Sequence, residues 1–117
     1  MERSDRTLGA IVDHLDELEQ IPKNSLFFGD WLRITTLDAI YSIYVVKEGS
    51  YMVSGGWFDR HEVSPFKTTI AGCTWGGSAI KIDIVAALGL HLEFGNRLVS
   101  SPIQKIEMCR LETDKVN

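Results

Sequence analysis

Cysteine, proline and basic residues are all scarce in this chain, and long apolar runs are missing. Two cysteines, Cys73 and Cys109, in 117 residues are too few and too far apart for a disulfide scaffold or a CxxC zinc or redox site. Each is expected to be a small buried hydrophobe. Three prolines leave no collagenous or proline-rich tract. No apolar run approaches the roughly 20 residues of a membrane-spanning helix. The opening residues, Met1 to Arg6, lack the apolar core of a secretory signal. A cytoplasmic location and no membrane partner are the expectations.

Twelve Lys and Arg stand against sixteen Asp and Glu, a net charge of −4. Residues 1–20 hold six acids (Glu2, Asp5, Asp13, Asp16, Glu17, Glu19) and two bases (Arg3, Arg6), which is the whole imbalance. The remainder holds ten of each, scattered, so it lacks the basic footprint of a phosphate-binding surface and no nucleic-acid partner is expected. With 44% apolar and 24% charged residues the composition is that of one globular domain spanning 1–117.

What is present is periodicity. From Thr7 to Gln20, Leu8, Ile11, Val12, Leu15 and Leu18 are spaced by three and four. This predicts an amphipathic α-helix, capped by Ser4 or Asp5 and stopped by Pro22. Leu8, Ile11, Leu15 and Leu18 also fit the a and d positions of two heptads, so the stripe suits a partner helix as well as a sheet of its own chain. The domain thus divides into an N-terminal helix (1–22) and a β-rich body (23–117). Asn24 to Asp30 reads as a loop carrying Phe27 and Phe28.

Trp31 to Lys47, rich in β-branched and aromatic residues, predicts two strands with a break between Thr35 and Asp38. A turn at Glu48-Gly49 pairs Lys47 with Ser50, Val46 with Tyr51 and Tyr44 with Val53. One face then carries Ile40, Tyr44, Val46, Tyr51, Val53 and Trp57, and the other Tyr41, Ile43, Val45, Met52 and Phe58. Both faces are apolar, so both need cover, from the helix, a curled sheet or another subunit. Thr68 to Trp75 predicts a further strand, and Gly95-Asn96 the turn of a second hairpin. Residues 79–88 and 103–111 read as strand or helix, with strand preferred for both.

Counting outward from Gly95-Asn96 pairs Glu93 with Leu98 and His91 with Ser100, which sets His91, Glu93 and Ser100 on one face. Imidazole beside hydroxyl and carboxylate is the raw material of acid–base or nucleophilic catalysis. The polar face of any half-exposed hairpin carries the same residue types, and no nucleophile elbow accompanies them. Asp59-Arg60-His61-Glu62 follows Trp57-Phe58 and suits the mouth of a pocket, with His61 as acid or base. Adding Trp75 as a second aromatic wall gives a candidate ligand-binding set of Trp57, Asp59, His61 and Trp75. The three tryptophans with Phe27, Phe28 and Tyr51 also suit an aromatic platform. A metal would recruit His61, His91, Glu93 and Cys73, but no HExxH, CxxC or HxH spacing presents them, so no metal and no cofactor are expected. Gly72 to Ser78 lacks the Walker lysine and the dinucleotide glycine spacing.

These readings predict an α+β fold, an N-terminal amphipathic helix packed on a bent, mainly antiparallel sheet of about six strands, barrel-like or two-layered. The function expected first is that of a small soluble non-enzymatic binding or assembly module, homo-oligomeric through the two-sided hairpin and the heptad-like stripe. The alternatives are a small-molecule-binding pocket protein with aromatic walls, and a small hydrolase- or isomerase-like enzyme using His91 or His61. Expected partners are accordingly a second copy, another protein or a small molecule.

Overall fold

The computed structural model describes residues 15–47, 49–75 and 79–110. In chain order these form β1 (Asp16–Leu18), β2 (Gln20–Pro22), a 3-10 turn (Lys23–Ser25), β3 (Trp31–Thr36), β4 (Ile40–Lys47) and β5 (Ser50–Gly55). There follow the five-residue helix α1 (Gly56–Arg60), β6 (Phe66–Thr68), β7 (Ile70–Thr74), β8 (Ile80–Lys81), β9 (Ile84–Ala87), β10 (His91–Phe94) and β11 (Val99–Cys109). No helix among the described residues is long and apolar enough to cross a membrane.

The α+β expectation is overturned. β1 pairs with β11 and β2 with β9, so residues 16–22 are largely strand, and among the described residues no N-terminal helix packs on the sheet; positions 7–14 of the expected helix lie outside the described residues. Asp16, Glu17 and Glu19 would have crowded the negative end of a helix dipole. Pairing along the edge of β11 satisfies the same backbone without that cost. Pro22, which cannot donate to a ladder, sits at a register shift in the β2–β9 pair.

All pairings are antiparallel, and the main sheet runs β6-β5-β4-β3-β11-β10-β7-β8, with β1 also on β11. Two stretches of chain belong to both halves of it. Phe66–Thr74 is interrupted at Thr69, so that β6 pairs with β5 and β7 with β10. β11 pairs with β10 near its start and with β3 and β1 toward its end. The sheet therefore folds over into a flattened barrel of two layers, one of β6, β5, β4, β3, β11 and β1, the other of β8, β7, β10 and the start of β11. The β2–β9 ribbon lies against β7.

Alternation builds the core. Leu32 and Ile34 of β3, Tyr41, Ile43 and Val45 of β4, Tyr51 and Val53 of β5, and Ile106 of β11 point inward and meet Leu92 and Phe94 of β10. The expected β4–β5 register fails at one residue. A bulge at Val46 pairs Val45 with Tyr51 and Tyr44 with Met52, and a slip of one residue exchanges the two faces. Tyr51 and Val53 are thereby core residues, and Tyr44 and Met52 face outward.

At the end of β5 the chain turns sharply through Gly55 (φ 103°) and Gly56 (φ 47°) into α1. Burial holds the Tyr41 phenol above its usual pKa, and the Trp57 backbone beside it acts the other way. Phe58 then drops between the layers, its ring centroid 5.2 Å from Phe94, 5.5 Å from Phe66 and 6.3 Å from Tyr41. The second hairpin also differs from expectation. Arg97 N–H donates to the Phe94 carbonyl and Phe94 N–H to the Leu98 carbonyl, with Arg97 at φ 72°, giving a three-residue loop in place of the two-residue turn. Residues 80–81, 84–87 and 99–109 are strand.

Candidate binding surface

The revised register separates the His91, Glu93 and Ser100 trio. Glu93 pairs with Val99 and His91 with Pro102. Ser100 is buried, accepts the Leu92 N–H at 2.9 Å and donates its hydroxyl to the Ser101 carbonyl at 2.7 Å. The His91 Nδ1 lies 2.8 Å from the Ser100 carbonyl, not its hydroxyl. The structure thus commits the serine hydroxyl to backbone, while His91 and Glu93 keep one half-buried face of β10.

Trp57, Asp59 and His61 are brought together by α1, largely through bonds to one another and to the backbone. His61 stacks on the Trp57 indole at 4.1 Å between centroids, and its Nδ1 lies 2.9 Å from the Trp57 carbonyl. Asp59 Oδ1 accepts the Ser64 hydroxyl at 2.5 Å and the Gly55 N–H at 3.0 Å, bonds that hold its carboxyl below the usual range. It ties the start of the helix to the loop that follows. Trp75 is elsewhere. Phe94, which meets α1, pairs with Ile70 at the start of β7, whereas Trp75 follows Thr74 at the other end. Five extended residues set these ends roughly 16 Å apart, so the two indoles do not wall one mouth. Trp75 packs instead with Lys81, whose ammonium lies 5.5 Å from its ring.

Cys73 is buried, donates to the Val85 carbonyl at 3.2 Å, and has its thiol pushed up to about 11 by burial, so it stays protonated at neutral pH. Cys109 is also buried.

A different set of residues forms the most distinctive surface. Phe27-Phe28-Gly29-Asp30 is a β-turn closed by Asp30 N–H to the Phe27 carbonyl at 3.0 Å, with Gly29 at φ 92°, the conformation a type II turn requires at that place. The turn is locked from below. Asp30 is 1% exposed; its Oδ2 accepts the Phe27 N–H at 2.9 Å and pairs with Arg110 Nη1 at 3.2 Å. Arg110 also donates to the Ser25 carbonyl at 3.2 Å and lies over the Phe27 ring. Gly29 and Asp30 exchange backbone bonds with Val45. Held this way, Phe27 and Phe28 remain 64% and 61% exposed, and Phe28 stands edge-on to Tyr44, itself 40% exposed. Register places Trp31 and Met52 on either side of Tyr44 on the outer face.

Phe27 and Phe28 lie between the 3-10 turn and β3, in the loop the sequence predicts. Tyr51, expected beside them, is in the core, and the ring that stands edge-on to Phe28 is Tyr44. The signal for a rigid display was Phe-Phe-Gly-Asp itself, with glycine third and a capping carboxylate fourth.

Below this strip the outer face is ionic. Arg33 Nε donates to Glu107 Oε1 at 2.8 Å and Lys105 Nζ lies 3.6 Å from Oε2. The Arg33 hydrogen bond, opposed by burial, holds the Glu107 carboxyl below the usual range. A folded-state pKa below the unfolded value of about 4.3 stabilises the fold above that value, and the contribution disappears as pH falls through the folded one. Arg33→Gln is expected to cost about 0.5–1 kcal/mol at pH 7 after solvent screening. Urea midpoints should show the gap to wild type narrowing as pH is lowered toward 3; a gap that stays constant would remove the ionised pair as its cause.

Comparison with protein-family models, with curated proteins and with solved structures finds no match to this chain.

Proposed function

We propose that the protein is a non-enzymatic assembly module that self-associates through the strip formed by Phe27, Phe28, Trp31, Tyr44 and Met52. The observation that carries this reading is the locked turn. Two adjacent phenylalanines are kept largely in water by a buried carboxylate, its arginine partner and a glycine of positive φ. Scattered apolar residues on a surface are ordinary, but contiguous aromatic patches mark interaction sites. Rings already fixed in place lose little side-chain entropy on contact, and so bind more tightly for their area. A second copy is the occupant that the charge supports. Phe27, Phe28, Trp31, Tyr44 and Met52 carry no charge, so two copies meet on the strip without like-charge repulsion.

Sedimentation velocity at micromolar concentration tests this. Wild type is expected at twice the chain mass, and Phe28→Asp or Tyr44→Lys should raise the dissociation constant about 100-fold, as for a central aromatic hot spot. Both substitutions lie outside the core, so circular dichroism should be unchanged. A wild-type protein that stays monomeric at 100-fold higher concentration overturns the reading.

A further inference from the structure

The outward side of the layer β6-β5-β4-β3-β11-β1 runs in rows fixed by register. One row reads Lys67, Met52, Tyr44, Trp31, Cys109, and the next Ser54, Ser42, Arg33, Glu107, Glu17. The apolar strip is the middle of the first row. Arg33, Lys105 and Glu107 form an ion-pair cluster on the inner strands β3 and β11, and two further charges lie at the edges. Glu107 is taken by Arg33 and Lys105. Glu17 on β1 and Lys67 on β6 are exposed and enter no ion pair among the described residues. The face therefore carries an uncompensated acid at one edge and an uncompensated base at the other.

We propose that two copies pack outer face to outer face about a two-fold axis parallel to the strands, with Lys67 of each copy over the Glu17 edge of the other. This rests on the reading of the strip as a self-association surface, and adds the orientation and the residues that select it. A two-fold axis lying between two sheets has two simple directions. Parallel to the strands, it reverses strand order, so β6 of one copy faces β1 of the other and both edges bring opposite charges together. Perpendicular to the strands, it keeps the order, so Glu17 faces Glu17 and Lys67 faces Lys67. Like-charge juxtaposition suppresses that second arrangement. The row offset between Lys67 and Glu17 is two residues, roughly 7 Å, within the reach of a lysine side chain.

The area suffices for a weak, specific pair. The exposed parts of Phe27, Phe28 and Tyr44 amount to roughly 350 Å² per copy at usual ring sizes. Trp31, Met52 and the lysine stem bring a two-copy contact to about 1,000 Å², the lower end for a specific interface. Because the contact is isologous, each copy uses its strip once and assembly closes at two.

The test is charge reversal at the edges, read by sedimentation equilibrium with thermal melts as a folding control. Lys67→Glu and Glu17→Lys alone should each raise the dissociation constant about tenfold, since each makes both edge contacts like-charged. Mixed in equal amounts, the two variants should form a heterodimer at wild-type affinity, because every edge contact is again between opposite charges. A dimeric wild type whose affinity neither single reversal weakens overturns this orientation while leaving self-association standing. A monomeric wild type overturns both.

Discussion

Phe58→Ala is expected to lower the unfolding free energy by about 4 kcal/mol, the upper range for emptying a fully buried aromatic site. Phe58 has no exposed surface and touches Tyr41 and Phe66 of one layer and Phe94 of the other, so no single neighbour can move in to fill the space. In a domain of this size that loss corresponds to a fall in melting temperature of roughly 15–30 °C. Phe28→Ala removes the same atoms from an exposed position and should stay within about 0.5 kcal/mol at concentrations where the protein is monomeric. Chemical denaturation of the two variants side by side makes the comparison. A Phe58 loss below about 1.5 kcal/mol would mean the ring is not clamped between the layers.

The second large effect comes from adding one carbon. Gly55 sits at φ 103°, and a Cβ there would run into the backbone carbonyl oxygen of Ile40, which cannot swing aside as a side chain can. Strain and overpacking together predict a loss of about 4 kcal/mol for Gly55→Ala. Gly49 also has positive φ, 77°, but nothing lies near its missing Cβ. Gly49→Ala should therefore cost only the conformational penalty, about 1 kcal/mol. Urea midpoints of the pair isolate the steric part, and equal losses would place the cost in the backbone conformation alone.

The strands of the body could be read from β-branched and aromatic runs because those signals are local. Trp31 to Thr36, Ile40 to Lys47 and Ser50 to Gly55 are strands for the reasons the composition suggested. Faces were harder, since a side chain's side depends on counting by two from a turn. One bulge at Val46 and one extra loop residue at Arg97 reversed the count in both hairpins. That is why Tyr51 moved into the core and the His91, Glu93 and Ser100 trio came apart. The largest error was at Asp16 to Pro22, where a spacing of three and four suggested a helix. The competing influences are the edge of β11 for Asp16 to Leu18, some ninety residues away, and β9 for Gln20 to Pro22, partners that no local pattern announces. Trp57, Asp59 and His61 are neighbours because they are close in sequence along α1. Trp75 shares only residue type with Trp57, and residue type does not set distance.

The lateness of β11 in the chain has a consequence during synthesis. Arg33 and Glu107, partners across β3 and β11, are 74 residues apart. At translation rates of about 5–20 residues per second, β3 leaves the ribosome roughly 4–15 s before the strand that covers its free side. In that interval β3, β4 and β5 can already pair, because their turns are short. Their assembled face is apolar and their β3 side is bare, which is the combination that recruits strands from other molecules. On a polysome, where nascent copies stand side by side at the same stage, the nearest such strand belongs to an identical unfinished chain. Whatever slows elongation between residues 36 and 99 lengthens that exposure, and whatever shields β3 in the meantime protects the yield of folded protein.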